Sequence, residues 1–429
     1  MEIYIVQEGD SIDTISNHFG ISIDILARNN GLEYPYELAI GQALVIAHPT
    51  LIHTVQEGDT LQGIADMYGV SLRKILRNNP YLIERVYIHP EETIIISYDT
   101  IVDIATIGFA YPYIRRSTLL KNLLNLTYLS VFNYSVSDRG EINEYYDDRE
   151  IVQASVEYGV IPLLMLSTLT PYGEPNAEIA YNLLLNEEYQ DNLLGQIVGI
   201  MRNKGYLGLN MVFNYLNENS QMLYQNLVKK ISERIRQEGY LFFITINYDN
   251  KKRDNSGQND QVDYAAFNSY VDIMIFIKLY WGTNYDPPSP VSDIKYLRSL
   301  VNYLITQVPV DKLMIGKPLL GYVWSIPFIP NTTRAISMAL DAVLQVANNS
   351  DAMIQFDGRS QTPYFFYNQE AEGVSSQQVV WFVDARSINA LNNLIHEYSL
   401  YGAGIWNIMI YHPQLWTILN SQYEIIKLL

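Results

Sequence analysis

The chain contains no cysteine. That absence excludes disulfides, cysteine nucleophiles and thiolate metal sites together, and it leaves the redox compartment open. Positive charge is scarce: 28 Lys and Arg stand against 46 Asp and Glu, a net charge of −18 over 429 residues. An acidic chain of this kind is a poor partner for nucleic acid or for an anionic membrane surface. No apolar run reaches the roughly 20 residues of a transmembrane helix. The six histidines are scattered without ligand spacing, so no metal and no other cofactor is expected. The start, Met1 to Val6, lacks a basic stretch followed by an apolar one, and no conventional secretion signal is expected.

What is abundant is apolar and aromatic. Hydrophobic residues make up 48% and tyrosine alone accounts for 35 positions, so a large core is available. The length suits two or three domains of roughly 100–200 residues each.

The N-terminal fifth repeats itself. Val6-Gln7-Glu8-Gly9-Asp10-Ser11 recurs as Val55-Gln56-Glu57-Gly58-Asp59-Thr60, and Ile25-Leu26-Ala27-Arg28-Asn29-Asn30 recurs as Ile75-Leu76-Arg77-Asn78-Asn79. Two modules follow, residues 1–49 and 50–98. Each opens on a short β-run and meets a Gly-Asp-Ser/Thr turn and helix cap. Ile12, Ile15 and Phe19 then fall at helical spacing, Gly20 stops that helix, Ser22 caps a second, and Ala43 to Ile46 form a closing strand. The unit is βααβ. Gly-Asp-Ser/Thr, the Asn-Asn pair and Ile40-Gly41-Gln42-Ala43-Leu44 resemble LysM modules. The resemblance implies binding of N-acetylglucosamine-containing glycan, peptidoglycan or chitin-like. It places the groove between Gly9, Asp10, Ser11 and Ile12 on one side and Ala39 and Ile40 on the other. In the second copy the matching residues are Gly58, Asp59, Thr60, Leu61, His89 and Pro90.

Residues 101–429 alternate apolar β-type runs with helical stretches. Eight runs stand out, beginning at Ile107, Leu129, Ile161, Leu209, Phe242, Ile273, Met314 and Gly404. Runs buried on both faces with helices between them predict an α/β fold, a closed parallel (β/α)8 TIM-like barrel. The runner-up is an open doubly wound sheet, but no Gly-x-Gly-x-x-Gly follows the first strand. Residues of about 330–380 interrupt the pattern and read as a small α+β insertion. In such a barrel the chemistry sits at the C-terminal ends of the strands. Those ends carry few acids. The fourth run reads Leu207-Gly208-Leu209-Asn210-Met211-Val212-Phe213-Asn214, and the sixth ends Leu279-Tyr280-Trp281-Gly282.

Stretches such as Leu126-Thr127-Tyr128-Leu129-Ser130, Lys204-Gly205-Tyr206, Tyr280-Trp281-Gly282 and Trp381-Phe382-Val383-Asp384 resemble glycoside hydrolase family 18. With the LysM–LysM–barrel order, the resemblance is to the branch of spore-germination, cortex-fragment-lytic N-acetylglucosaminidases. The family pattern on strand four is Asp-Gly-x-Asp/Asn-x-Asp-x-Glu. It implies that a Glu protonates the leaving oxygen while the preceding Asp and a strand-six Tyr hold the substrate's acetamide, whose carbonyl attacks the sugar carbon. This sequence departs from that pattern where it matters. Leu207 replaces the first Asp, Asn210 fills the middle position, Val212 replaces the last Asp and Asn214 the acid. Leu279 stands for the Tyr, Tyr280 for the acidic residue after it, and Val383 for a further acid. Asn releases no proton at ordinary pH, and general acid catalysis is worth about 10²–10⁴-fold. Leu207 and Val212 read as barrel packing; Glu218, Asp249 and Asp263 read as surface acids.

The expectation is therefore a glycosidase-like barrel without catalytic residues, a pseudoenzyme. Trp406, matching the family's Trp beneath the bound sugar, with Tyr280 and Trp281, would line a cleft that still holds glycan. Two alternatives stay open. One is an active N-acetylglucosaminidase using a relocated acid such as Glu218. The other is a self-assembling spore-layer protein whose tyrosines serve stacking or cross-linking. The expected partner is peptidoglycan or a related glycan, with the chain itself or other spore-layer proteins as further partners. The expected location is a coat, exosporium or cortex-facing layer of a spore-forming bacterium.

Overall fold

The computed structural model describes residues 1–85, 87–137, 139–168, 176–248, 262–279, 284–371 and 374–429. In the first module, strands Glu2–Ile5 and Ala43–Ile46 pair antiparallel around helices Ile12–Phe19 and Ile23–Asn30. Ser11 caps the first helix by accepting from the Thr14 N–H, and Ser22 caps the second through Ile25. The second module repeats this with strands Leu51–Thr54 and Thr93–Ser97 and helices Leu61–Tyr68 and Leu72–Asn78, capped by Thr60 and Ser71.

The repeated Asn has a physical reason. Asn30 Nδ2 donates to the carbonyls of Leu26 and Val45, and its Oδ1 accepts from Val45 N–H. Asn79 does the same with Ile75 and Ile95. One buried side chain ties the helix end to the closing strand and leaves neither backbone group unpaired.

Eight parallel strands form the barrel: Val102–Ala110, Tyr128–Val136, Ile161–Ser167, Gly208–Phe213, Leu241–Ile246, Ile273–Ile277, Leu313–Pro318 and Gly402–Trp406. The eighth pairs with the first (Gly402 opposite Ala105, Trp406 opposite Phe109) and the first with the second, which closes the sheet. The open doubly wound alternative is thereby excluded. Alternation divides strand four cleanly. Leu209, Met211 and Phe213 pack outward into the layer shared with the helices, while Val212 joins the interior cluster with Phe109, Phe132, Phe243, Ile275, Leu279 and Trp406.

An antiparallel five-stranded sheet with helix Leu340–Asn349 is inserted between strands seven and eight. It starts at Gly321, earlier than the expected 330, and ends at Phe382. The apolar run Gly321–Ile326 follows strand seven after only Leu319 and Leu320, and it pairs with Val374–Phe382 rather than with the barrel.

This insertion receives the first module. Ala39 is buried in a cluster with Val343, Ala347, Ile354, Phe365 and Phe382. The Ile354 N–H donates to the Ile40 carbonyl (2.9 Å), and Arg386 Nη2 donates to the Gly41 carbonyl (3.2 Å). Gly41 has φ +84°, and a Cβ there would lie 2.1 Å from the Ile354 carbonyl oxygen, so both conformation and space demand glycine. The second module docks differently, through helix Leu72–Asn78: Lys74 and Arg77 both pair with Glu424 (2.9 and 2.6 Å).

Candidate functional site: the barrel mouth and the module grooves

At the barrel mouth, polar side chains form a chain of neutral groups. Asn214, at the end of strand four, donates through Nδ2 to Ser167 Oγ (3.1 Å). Its Oδ1 accepts from Asn247 Nδ2 (3.0 Å), and Asn247 Oδ1 accepts from the Leu279 N–H (2.8 Å). The ends of strands three, four, five and six are thus linked through two amides. Deeper in the barrel, Asn210 is fully buried; its Nδ2 donates to Ser130 Oγ (2.9 Å) and its Oδ1 accepts from Thr245 Oγ1 (2.8 Å). Both are satisfied structural amides, and an amide holds no proton for a leaving group.

The other departures are apolar in surroundings as well as in identity. Val212 and Leu279 are buried together in the interior cluster, and Leu207 packs against its lower end, before strand four begins. Val383 is buried in the outer layer. Glu218 is exposed in the turn before helix Gln221–Gln237, and Asp263 is exposed, accepting from the Ala266 N–H. Tyr280, Trp281 and Asp249 lie outside the described residues. Among the described residues no three His, Asp or Glu side chains gather as a metal site would need.

Trp406 is placed at the mouth as expected but is only 4% exposed. Phe109 (5.7 Å between ring centroids), Tyr111 (6.4 Å) and Phe132 (6.4 Å) surround it. It is therefore a covered floor and no open platform for a sugar face. The aromatics continue outward: Tyr113 stacks on Tyr111 (5.2 Å), and Tyr146 meets Tyr113 edge-on (5.2 Å). Tyr113 and Tyr146 are exposed. Sequence reasoning passed over both, although Tyr111-Pro112-Tyr113 directly follows the first strand, where a barrel places its working residues.

Near this strip lies a buried ionic knot. Asp148 is fully buried and accepts from Lys204 Nζ (2.7 Å), Tyr134 Oη (2.5 Å) and Tyr206 Oη (2.5 Å). Burial opposes its ionisation, but these hydrogen bonds outweigh burial and hold its carboxyl below the usual range.

In the modules, the Gly-Asp-Ser/Thr loops are built by their own Asp. Asp10 Oδ2 accepts from the Gln7 N–H (2.7 Å) and Tyr4 Oη (2.8 Å). Asp59 Oδ2 accepts from the Gln56 N–H (2.7 Å) and lies 2.8 Å from His53 Nε2. The capping of helix N–H groups expected of both residues falls to Ser11 and Thr60 alone; the Asp closes the turn instead. Gly9 and Ser11 are exposed, but Ile12 is buried in the core and Ala39 is covered by the insertion. Ala39 is thus corrected from a glycan contact to a docking residue, with Ile40 half turned to solvent. The second groove stays uncovered: Gly58, Thr60, His89 and Pro90 are exposed and Leu61 is half-buried. Tyr87, which the sequence reading did not single out, is 68% exposed with its ring 5.6 Å from His89.

Comparison with known proteins agrees with this architecture. The model described as LysM domain matches residues 4–47 and 53–97, and that described as glycosyl hydrolases family 18 matches residues 173–409. The cortical fragment-lytic enzyme of Bacillus anthracis is 28% identical over 435 residues, covering 100% of this chain and 99% of the relative. The crystal structure of the spore cortex-lytic enzyme SleL from Bacillus megaterium QM B1551 superposes with a TM-score of 0.78 at 26% identity, covering 100% of this chain and 99% of that one. SleL from Bacillus cereus gives 0.79 at 26% identity, with 99% and 98% covered. The chain belongs to glycosyl hydrolase family 18 and carries two LysM domains ahead of its barrel.

Proposed function

We propose that this protein is a spore-associated binder of N-acetylglucosamine-containing wall glycan, with a barrel that holds glycan without cleaving it by the family's carboxyl chemistry. One observation carries the reading. Where the family pattern has its acid stands an amide, Asn214, bonded on both sides to neutral partners, and where the pattern has the helper stands a valine, Val212, packed among hydrocarbons. Loss of the acid alone removes about 10²–10⁴-fold; loss of the acetamide's polar partners removes more. The second LysM groove, with exposed Tyr87, His89 and Pro90, would supply the main attachment. The exposed pair Tyr113 and Tyr146 would receive sugar faces beside the barrel mouth.

A second reading is an active cortex glycosidase. It is favoured by relatives named as cortical fragment-lytic enzymes that match from end to end. It requires a carboxyl from elsewhere in the chain to reach the cleft.

The test is digestion of purified cortex fragments and N-acetylglucosamine oligomers, followed by mass spectrometry and co-sedimentation. Binding without products is the expected result. Released N-acetylglucosamine that scales with protein, and that survives Asn214→Ala, would establish the second reading and overturn the first.

A further inference from the structure

The two modules close the same turn with different chemistry. In both, an Asp accepts from a backbone N–H three residues back, Gln7 for Asp10 and Gln56 for Asp59. In both, the same carboxylate oxygen also meets a side chain from the first strand of the module. In the first module that partner is Tyr4 Oη (2.8 Å). In the second it is His53 Nε2 (2.8 Å), at the equivalent place 49 residues on. The residue behind the partner changes too. Phe19 meets the Tyr4 ring edge-on (5.4 Å), whereas Tyr68 stands behind His53 with its hydroxyl 3.1 Å from Nδ1. The bond to Asp10, with burial, raises the Tyr4 phenol above its ordinary value, so it stays a neutral donor. An imidazole, in contrast, is the side chain that changes charge between pH 5 and 8.

His53 is buried and Asp59 half-buried. Both protonation states of the ring fit the site. Neutral, it donates from Nε2 to Asp59 and accepts at Nδ1 from Tyr68 Oη; charged, it donates from both nitrogens and the Tyr68 hydroxyl turns to accept. Charging therefore converts a hydrogen bond into an ion pair without leaving a group unpaired. The neighbouring charges are engaged elsewhere. Across the sheet His53 faces Ile94, and Glu92, just before that strand, is committed to Arg85 (2.7 Å). Helix Leu61–Tyr68 carries one acid, Asp66, which is exposed and bonded to Gln62 (2.8 Å). Glu57, in the turn itself, is exposed. The cations of helix Leu72–Asn78 turn to the barrel, where Arg73 donates to the Glu157 carbonyl (2.5 Å) and Lys74 and Arg77 pair with Glu424. His89, a second imidazole, stands exposed on the opposite side of the groove.

We propose that protonation of His53 strengthens glycan binding by the second module, so that its affinity rises as the medium turns acid. Gly58, Asp59 and Thr60 form one side of that groove, and an ion pair across the turn sets its shape before ligand arrives, which removes an ordering cost from binding. The ion pair exists between the pH at which His53 takes up its proton and the lower pH at which Asp59 takes up its own. That lower limit is extended, because the Gln56 N–H, and then His53, hold the Asp59 carboxyl below its ordinary range. The gain is about two- to fivefold in affinity, the scale of a partly exposed ion pair. The inference rests on the second groove being the attachment site, as proposed above.

The test has two readouts on the full chain, at about pH 5.5 and about pH 8. The first needs no glycan. Gln7 lies between Val6 and Glu8, and Gln56 between Val55 and Glu57, so the two amides share one intrinsic exchange rate and the ratio of their protection cancels the effect of pH on exchange itself. Gln56 should gain protection over Gln7 by about two- to fivefold at the lower pH. The second readout is calorimetric affinity for the N-acetylglucosamine tetramer, expected to tighten by the same factor. His53→Tyr, which copies Tyr4, should level the ratio and remove the pH dependence of binding while retaining His89. His53→Gln, an uncharged donor of smaller size, does the same if the larger ring disturbs the fold. A ratio that ignores pH, equal affinity at both pH values, or a pH dependence that survives in full in His53→Tyr and so belongs to His89 would overturn the switch. A ratio that moves while the tetramer binds at neither pH would overturn the glycan reading itself, and with it the link from turn to affinity.

Discussion

Replacing Gly41 by alanine probes the docking of the first module on the insertion, while its bonds to helix Pro413–Asn420, from Gln414 to Asn30 and Ala43 and from Thr417 to Asn29, stay in place. The two modules differ at this position: Gly41 has φ +84°, and its counterpart Glu91 has φ +67°. The same backbone bond marks both, Gly41 N–H to the Val6 carbonyl and Glu91 N–H to the Val55 carbonyl. A side chain is accommodated at Glu91, which is exposed, but not at Gly41, where a Cβ would stand 2.1 Å from the Ile354 carbonyl oxygen. That neighbour is backbone and has little room to yield, so the two surfaces must separate. The left-handed conformation costs an alanine roughly 1–2 kcal/mol. Separation adds the bonds from Ile354 to Ile40 and from Arg386 to Gly41, at about 0.5–1.5 kcal/mol each. The strain is borne by the module whether docked or not, so docking itself should weaken by about 1–3 kcal/mol. Urea unfolding should show a first transition at lower denaturant, and Ile354 N–H should lose protection from hydrogen exchange. Undocking also uncovers Ala39, so chito-oligosaccharide stoichiometry should rise by one site per chain. In contrast, Glu91→Gly should stabilise the second module by about 1 kcal/mol. An unchanged Ile354 protection factor and an unchanged stoichiometry in Gly41→Ala would refute the docking argument.

Three further outcomes are expected. Asn214→Glu alone should not produce an N-acetylglucosaminidase: Ser167 and Asn247 would donate to the new carboxylate and hold it ionised, and Val212 and Leu279 would still offer the acetamide nothing; oligomer turnover above the wild-type baseline would contradict this. Asp148→Ala should cost about 3–5 kcal/mol in urea unfolding, because Lys204, Tyr134 and Tyr206 lose their common buried acceptor; a loss below about 1 kcal/mol would mean that the knot is incidental. The Gln56 N–H, then His53, hold the Asp59 carboxyl below its ordinary range. Its stabilisation is thus present above the ordinary carboxylate pKa and is lost as pH falls through the lowered one. His53→Phe should move the acid-unfolding midpoint of the second module to higher pH, and an unmoved midpoint would count against the pairing.

The scaffold was legible because its signals are local and repeated. Runs such as Ile273–Ile277 are apolar on both faces, as a strand of a covered parallel sheet must be. The two modules repeat at an offset of 49, carrying their caps and their Asn with them. The departures from the family pattern were equally plain, since Val212 and Asn214 can be read one residue at a time. What escaped were properties of pairs distant in sequence. Ala39 gives no sign that it will be covered by Ile354 and Phe365. Trp406 ends the eighth strand but is covered by Tyr111 and Phe132, and the exposed aromatics further out are Tyr113 and Tyr146. Asn247, which completes the link at the mouth, follows directly on the fifth strand; a search of the strand ends for amides as well as acids would have found it.

The run from Ser167 through Asn214 and Asn247 to the Leu279 N–H has no member that ionises near neutrality. A carboxylate in its place would have bound ligand with an uptake or release of protons. Any sugar contact made by these amides would exchange none with the solvent. Their heat of binding would therefore be the same in buffers of widely different ionisation enthalpy.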